Sequence, residues 1–111
     1  MTASVMTYVV YWRDRQVMKV GRAYRASRVR RFLDTGAEIV VLVRDTPLVW
    51  ETAALVAFRD RFPRAFATHP EALDILYRGR GFSECFIVAP SEVGAAVTVF
   101  KEAIAPHVIH T

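Results

Sequence analysis

Tyr8 and Lys19 are the first residues of the chain whose types and spacing suggest chemistry. They lie in two apolar, β-branched stretches, residues 5–12 and 17–20, joined by a polar turn at 13–16. A turn centred between Asp14 and Arg15 pairs Trp12 with Val17, Val10 with Lys19 and Tyr8 with Gly21. Alternation along a strand then places Tyr8, Val10 and Trp12 on the face that carries Val17 and Lys19, and sends Tyr11 with Met18 to the other face. Tyr8 and Lys19 become diagonal neighbours, within reach of long side chains. A phenol titrates at about 10 in water, and an adjacent cation favours the phenolate. Such a group can accept a proton from water or hold a metal-bound water. The same spacing also suits an ordinary strand aromatic beside a surface charge.

The elements that must position this pair can be read from capping and turn chemistry. After Gly21 a loop leads to a helix over about 28–34, capped by Ser27 and ended by Gly36. The run EIVVLVR, 38–44, reads as a buried strand. Asp45 or Thr46 caps a long helix with Pro47 in its first turn, running to about Arg61. The spacing of Thr68 and Glu71 suggests a capping box for a short helix to about Tyr77. A fourth strand follows at 83–88, and Ser91 caps a last helix that stops before Pro106. The tail, with His107 and His110, reads as loose and His69 as structural. The expected fold is therefore α/β in the α+β sense. It is one domain with a small, mainly antiparallel sheet of three to four strands flanked by helices, in the order ββαβααβα.

The chain of 111 residues is long enough for one real core, and 53% hydrophobic content argues against disorder. Its formal net charge is +4, and 13 of its 15 basic residues are arginine, whose planar fork of donors suits phosphate. The charge is unevenly placed. Eight basic residues and one acid fall within 13–31, whereas three basic residues and five acids follow Arg64. One end of the molecule is thus the expected contact surface for something negative. Within it, Arg22, Tyr24 and Arg25 mix cations with an aromatic, a composition that can hold phosphate and stack a base. In the following helix, Arg28 and Arg31 share a face while Arg30 points elsewhere. A single cysteine, Cys85, leaves no internal disulfide and no cysteine-based zinc cluster. The absence of a basic start, a long apolar stretch or a membrane-length segment sets cytoplasmic, with no membrane, as the expectation.

These residues, in this order, resemble the GIY-YIG nuclease superfamily, especially its small phage-type branch. MTY (6–8) stands where the family's first motif ends in tyrosine, and KVG (19–21) where the second ends in glycine. Arg28, in SRVRRF, matches a family arginine at the start of a helix. Glu51, in PLVWETAALVAF, matches the family glutamate on the helix after the next strand. SECFIV (83–88) resembles the short closing strand of the small branch, and its Glu84 matches that motif's acid. The similarity spans roughly residues 6–88.

The resemblance implies a metal-dependent endonuclease that hydrolyses phosphodiester bonds in DNA. Tyr8, aided by Lys19, would handle the proton of the attacking water. Glu51 would bind one Mg²⁺ or Mn²⁺, and Arg28 would steady the phosphate as charge builds. Arg22, Tyr24, Arg25, Arg30 and Arg31 would track the nucleic-acid backbone, salt-dependently and with little sequence preference. The chain contains no asparagine, so the family's late asparagine has no counterpart. That keeps a second reading open, a nucleic-acid-binding module of the same fold without catalysis. A third is a protein-interaction domain using the apolar helices.

Overall fold

The computed structural model describes residues 5–108. Its framework is the hairpin of β1 (Met6–Trp12) and β2 (Val17–Ala23). The turn closes through backbone bonds from Arg15 N–H to the Trp12 carbonyl and from Gln16 N–H to that of Arg13, with Gln16 at φ 55°. This sets the register expected from the alternation: Trp12 opposes Val17, Val10 opposes Lys19 and Tyr8 opposes Gly21. The second strand runs three residues further than its apolar stretch suggested. Gly21, Arg22 and Ala23 have partners waiting on β1 in Tyr8, Thr7 and Met6.

The sheet is antiparallel and four-stranded, in the order β3-β1-β2-β4, with β3 at Glu38–Val43 and β4 at Cys85–Ile87. Three α-helices cover it: α1 (Ala26–Asp34), α2 (Leu48–Arg61) and α3 (Val93–Ile104). The alternation of β1 divides the core in two. Tyr8, Val10 and Trp12 pack with Phe32 of α1 and with Phe66, Ile75 and Leu76 of the long connection before β4. On the opposite face, Val9, Tyr11 and Met18 pack with Phe58 of α2 and Phe100 of α3. Tyr11 donates a buried hydrogen bond to the Val88 carbonyl at 2.6 Å.

Several local expectations are corrected. Helix α1 starts at Ala26, not after Ser27, and its cap position is Arg25, which makes no side-chain cap bond. At α2 the cap position falls to Pro47, because Thr46 is engaged elsewhere, its Oγ1 lying 2.6 Å from that of Thr7. The helix expected over 68–77 is replaced by isolated 3-10 turns, His69–Ala72 and Tyr77–Gly79. Thr68 and Glu71 do meet through their side chains, at 3.1 Å, but Leu76 is extended, at φ -118° and ψ 132°, and interrupts the helical run before Tyr77. Strand β3 lies at the sheet edge, not buried, with Ile39 and Leu42 substantially exposed. Its apolar run serves β1 on one side only. The last helix ends before Pro106, as read, and is entered through a 3-10 turn at Pro90–Glu92. His110 lies outside the described residues. No helix among them is long and apolar enough to cross a membrane.

Gly21 is where the hairpin depends on a missing side chain. A Cβ there would press on the Tyr8 phenol, 2.6 Å from its Cζ, and would stand 3.0 Å from the Lys19 Nζ. Tyr8 is buried on all sides and cannot swing away. Gly21→Ala should therefore lose about 1–3 kcal/mol, the usual cost of overpacking. Urea unfolding checks this: the midpoint should fall with an unchanged m-value.

Candidate functional site

The register of the hairpin brings Tyr8 and Lys19 together as expected. The Lys19 ammonium lies 5.3 Å from the centroid of the Tyr8 ring and 5.6 Å from that of Phe32. Both side chains are completely buried, which corrects any view of Lys19 as a surface charge. A buried ammonium needs a partner, and Glu84 supplies it, with Oε2 2.7 Å from Nζ. Gly81 makes room for this contact, because a Cβ there would lie 2.8 Å from the Lys19 Cε and 3.5 Å from the Glu84 Oε2. Burial by itself pushes the Lys19 ammonium down, but Tyr8, Glu84 and Cys85 together outweigh it and hold Lys19 above its ordinary value. The Tyr8 phenol oxygen, by contrast, is buried with no hydrogen-bond partner.

Glu51 reaches the same region from the other face. Its position continues the buried stripe of α2, three, four and seven residues before Ala54, Leu55 and Phe58. One turn from the helix start, that stripe meets the end of β2. There the Glu51 carboxylate faces the Arg22 guanidinium, Oε1 to Nε 3.7 Å, with its side chain 15% exposed. Nearby apolar residues of α2 do not enclose it: Leu48, Val49 and Val56 are exposed. The two faces communicate because β4 pairs only with Val17, Met18 and Lys19, leaving the β2 edge beyond Lys19 without a strand. Around that edge the charges act on one another. Burial raises the Glu51 carboxyl and the charge of Glu84 raises it further. Arg22 and Lys19 pull it down without cancelling the rise.

The proposed arginines separate. Arg28 does not join the cluster. It is exposed and lines a groove between α1 and residues 73–80, with Arg31 but not Arg30, as their helical spacing implies. Phe32 stands between groove and cluster, lining the groove while packing its ring 5.4 Å from that of Tyr8. Arg22 is committed to Glu51 and also lies 5.8 Å from the centroid of the exposed Tyr24 ring. Arg25 and Arg30 are exposed. The sequence reading gave Glu84 little weight. Its signal was an acid three residues after Gly81, just before the strand expected at 83–88. Tyr77, Arg78 and Arg80, which gather at the groove, carried no pattern that singled them out. Cys85 is inert, its thiol pushed up to about 12 by burial.

Among the described residues no three His, Cys, Asp or Glu side chains come together as a metal cage. What the cluster offers is a carboxylate, Glu51, whose ionisation is opposed by a second carboxylate nearby. That donor set fits a Mg²⁺-type ion, which keeps most of its waters and binds through one or two carboxylates. No family model, no curated protein and no solved structure matches the chain.

The raised carboxyl of Glu51 makes a signed prediction. A group raised in the folded state favours folding below its unfolded value, and that contribution is lost as pH rises through the folded value. Ionised Glu51 therefore weakens the fold at neutral and alkaline pH. Glu51→Gln should melt above wild type near pH 8, and the gap should narrow as pH falls toward the ordinary carboxyl value of 4.5. Thermal melts across pH check this, and equal melting at every pH would contradict it.

Proposed function

We propose that this protein hydrolyses phosphodiester bonds in DNA at the cluster of Tyr8, Lys19, Glu51 and Glu84, with Mg²⁺ or Mn²⁺ as cofactor. One observation carries the reading: a fully buried phenol oxygen with no hydrogen-bond partner, set against a buried lysine. An unsatisfied buried hydroxyl costs about 1–3 kcal/mol. A chain under no other demand would place phenylalanine there. Buried polar groups without a partner are rare, and a catalytic role is one reason a chain keeps them.

In this reading substrate opens the β2 edge, the Tyr8 oxygen gives its own proton to solvent there and then takes one from the attacking water, and the oxygen displaced from phosphorus is protonated from solvent. Lys19 lies against the Tyr8 ring, and Glu84 holds the ammonium in place. Glu51, released from Arg22, holds the divalent ion. A divalent ion held there would supply positive charge that lowers the cost of negative charge developing on the phosphate. Arg22, once released, faces the same phosphate. Arg28, away from the cluster, contacts the flanking backbone with Arg25, Arg30 and Arg31, and these exposed cations give salt-dependent affinity. The second reading, a binding module without catalysis, is favoured by two features: the phenol is closed to solvent and the lysine is already satisfied by Glu84.

Tyr8→Phe separates the two readings. It removes only the unpartnered oxygen, so it should leave stability unchanged or raise it while DNA binding persists. Metal-dependent nicking should fall about 10²–10⁴-fold, the usual worth of general-base assistance. Glu51→Gln should bind DNA and not cut. Plasmid nicking with Mg²⁺ or Mn²⁺, and with a chelator as control, checks both. Wild-type protein that binds DNA but never cuts it would establish the binding module.

A further inference from the structure

The groove between α1 and residues 73–80 has a volume of about 400 Å³, in the range of small-ligand sites. Its floor is apolar, built from Phe32 and Leu76, and Arg28, Arg31 and Arg80 stand around it. At its mouth is the ring of Tyr77, a residue 60% exposed. The guanidiniums of Arg31 and Arg78 lie 5.3 Å and 5.2 Å from the centroid of that ring. Two acids also line the groove. Asp74 is paired with Arg15, outside the groove, so its charge is already met, and Asp34 sits at the end of α1. The cations prevail.

The two guanidiniums beside Tyr77 are attracted to its ring and leave a planar, cationic surface at the mouth of the groove. Arginine and tyrosine planes both stack on a nucleobase, and a guanidinium fork matches phosphate. An apolar floor beside three arginines asks for a ligand that is flat and apolar at one end and anionic at the other. We infer that this groove binds one nucleotide unit, its base stacked on Tyr77 and its phosphate held by Arg28, Arg31 and Arg80. The unit comes either free, as a nucleoside 5′-monophosphate, or as a single unpaired nucleotide in a DNA strand. The second source rests on the nucleic-acid reading above and deepens it, since it assigns the protein to DNA with an unpaired base. The groove is separated from the catalytic cluster by Phe32, so an occupant here is held beside the cleavage site and not in it.

The test uses 2-aminopurine, whose fluorescence is quenched by stacking, with a chelator present so that no strand is cut. Three probes are titrated: 2-aminopurine deoxyribonucleoside 5′-monophosphate, a duplex with one unpaired 2-aminopurine, and a fully paired duplex read by anisotropy. Wild type and Tyr77→Phe should quench at least one of the first two. Tyr77→Ala, at an exposed position, should fold normally and bind that probe about tenfold more weakly. The paired duplex should be held equally by all three proteins. Quenching of the mononucleotide identifies a free nucleotide as a ligand, and quenching of the unpaired-base duplex alone identifies the strand-borne one. No quenching of either probe, or equal quenching by Tyr77→Ala, overturns the proposal. If the paired duplex is still retained in that case, the function proposed above stands without this pocket. Quenching of the mononucleotide with no retention of any duplex would show the reverse.

Discussion

The buried pair of Lys19 and Glu84 is the constraint on which the site depends. An ammonium with no solvent access is tolerable only with a partner, and removing one member of such a pair typically costs about 3–5 kcal/mol. The pair fixes three things together. It holds the turn at Gly81 against β2, because only a glycine leaves space for the lysine stem. It starts β4, since Glu84 is followed at once by Cys85 opposite Lys19. It also fills the space beside the Tyr8 ring, so the phenol is confined between Gly21, Phe32 and the ammonium. An apolar pair of similar volume would give a similar core at lower cost in desolvation. The cost is met here alongside an unsatisfied phenol and a carboxylate whose ionisation is opposed. Three adverse polar features at one edge of a small sheet are better explained by function than by folding.

The edge itself follows from strand lengths. Strand β2 has seven residues, and β4 has three, which cover only its first half. Beyond Lys19 the backbone turns its free side toward the start of α2. A helix presents one stripe to a sheet, and α2 does so with Ala54, Leu55 and Phe58; Glu51 extends that stripe past the end of the core. Groups that strand alternation assigns to opposite faces, Lys19 and Arg22, thereby act on one carboxylate. The basic surface lies outside this edge and does not penetrate it. Arg28 and Arg31 belong to a groove of their own.

The parts legible in the sequence were those fixed by period and register. A four-residue polar turn between two β-branched runs was enough to pair Tyr8 with Gly21 and to put Lys19 on the same face as Tyr8; that this face is buried at Lys19 was not legible there. The spacing of Arg28 and Arg31 gave their shared groove. The failures have different physical causes. The EIVVLV run was apolar enough for a central strand, but sheet order is set by which neighbours compete for β1, and a local pattern does not contain that. The 68–77 segment had a good capping signal and no commitment to what followed, and the extended backbone at Leu76 broke it into turns. Thr46 looked like a cap and was taken by Thr7 across the fold. Glu84 and Tyr77 entered the site through a long connection whose path no periodicity describes.

The central claim is that Glu51 is a metal ligand in waiting and not merely the partner of Arg22. A crystal soaked with Mn²⁺ tests it directly, through anomalous difference density. The account predicts a peak at coordinating distance, about 2.0–2.2 Å, from a Glu51 carboxylate oxygen, with Arg22 turned away. Full Mn²⁺ exposure with no peak at Glu51, and with the Arg22 contact intact, would contradict it.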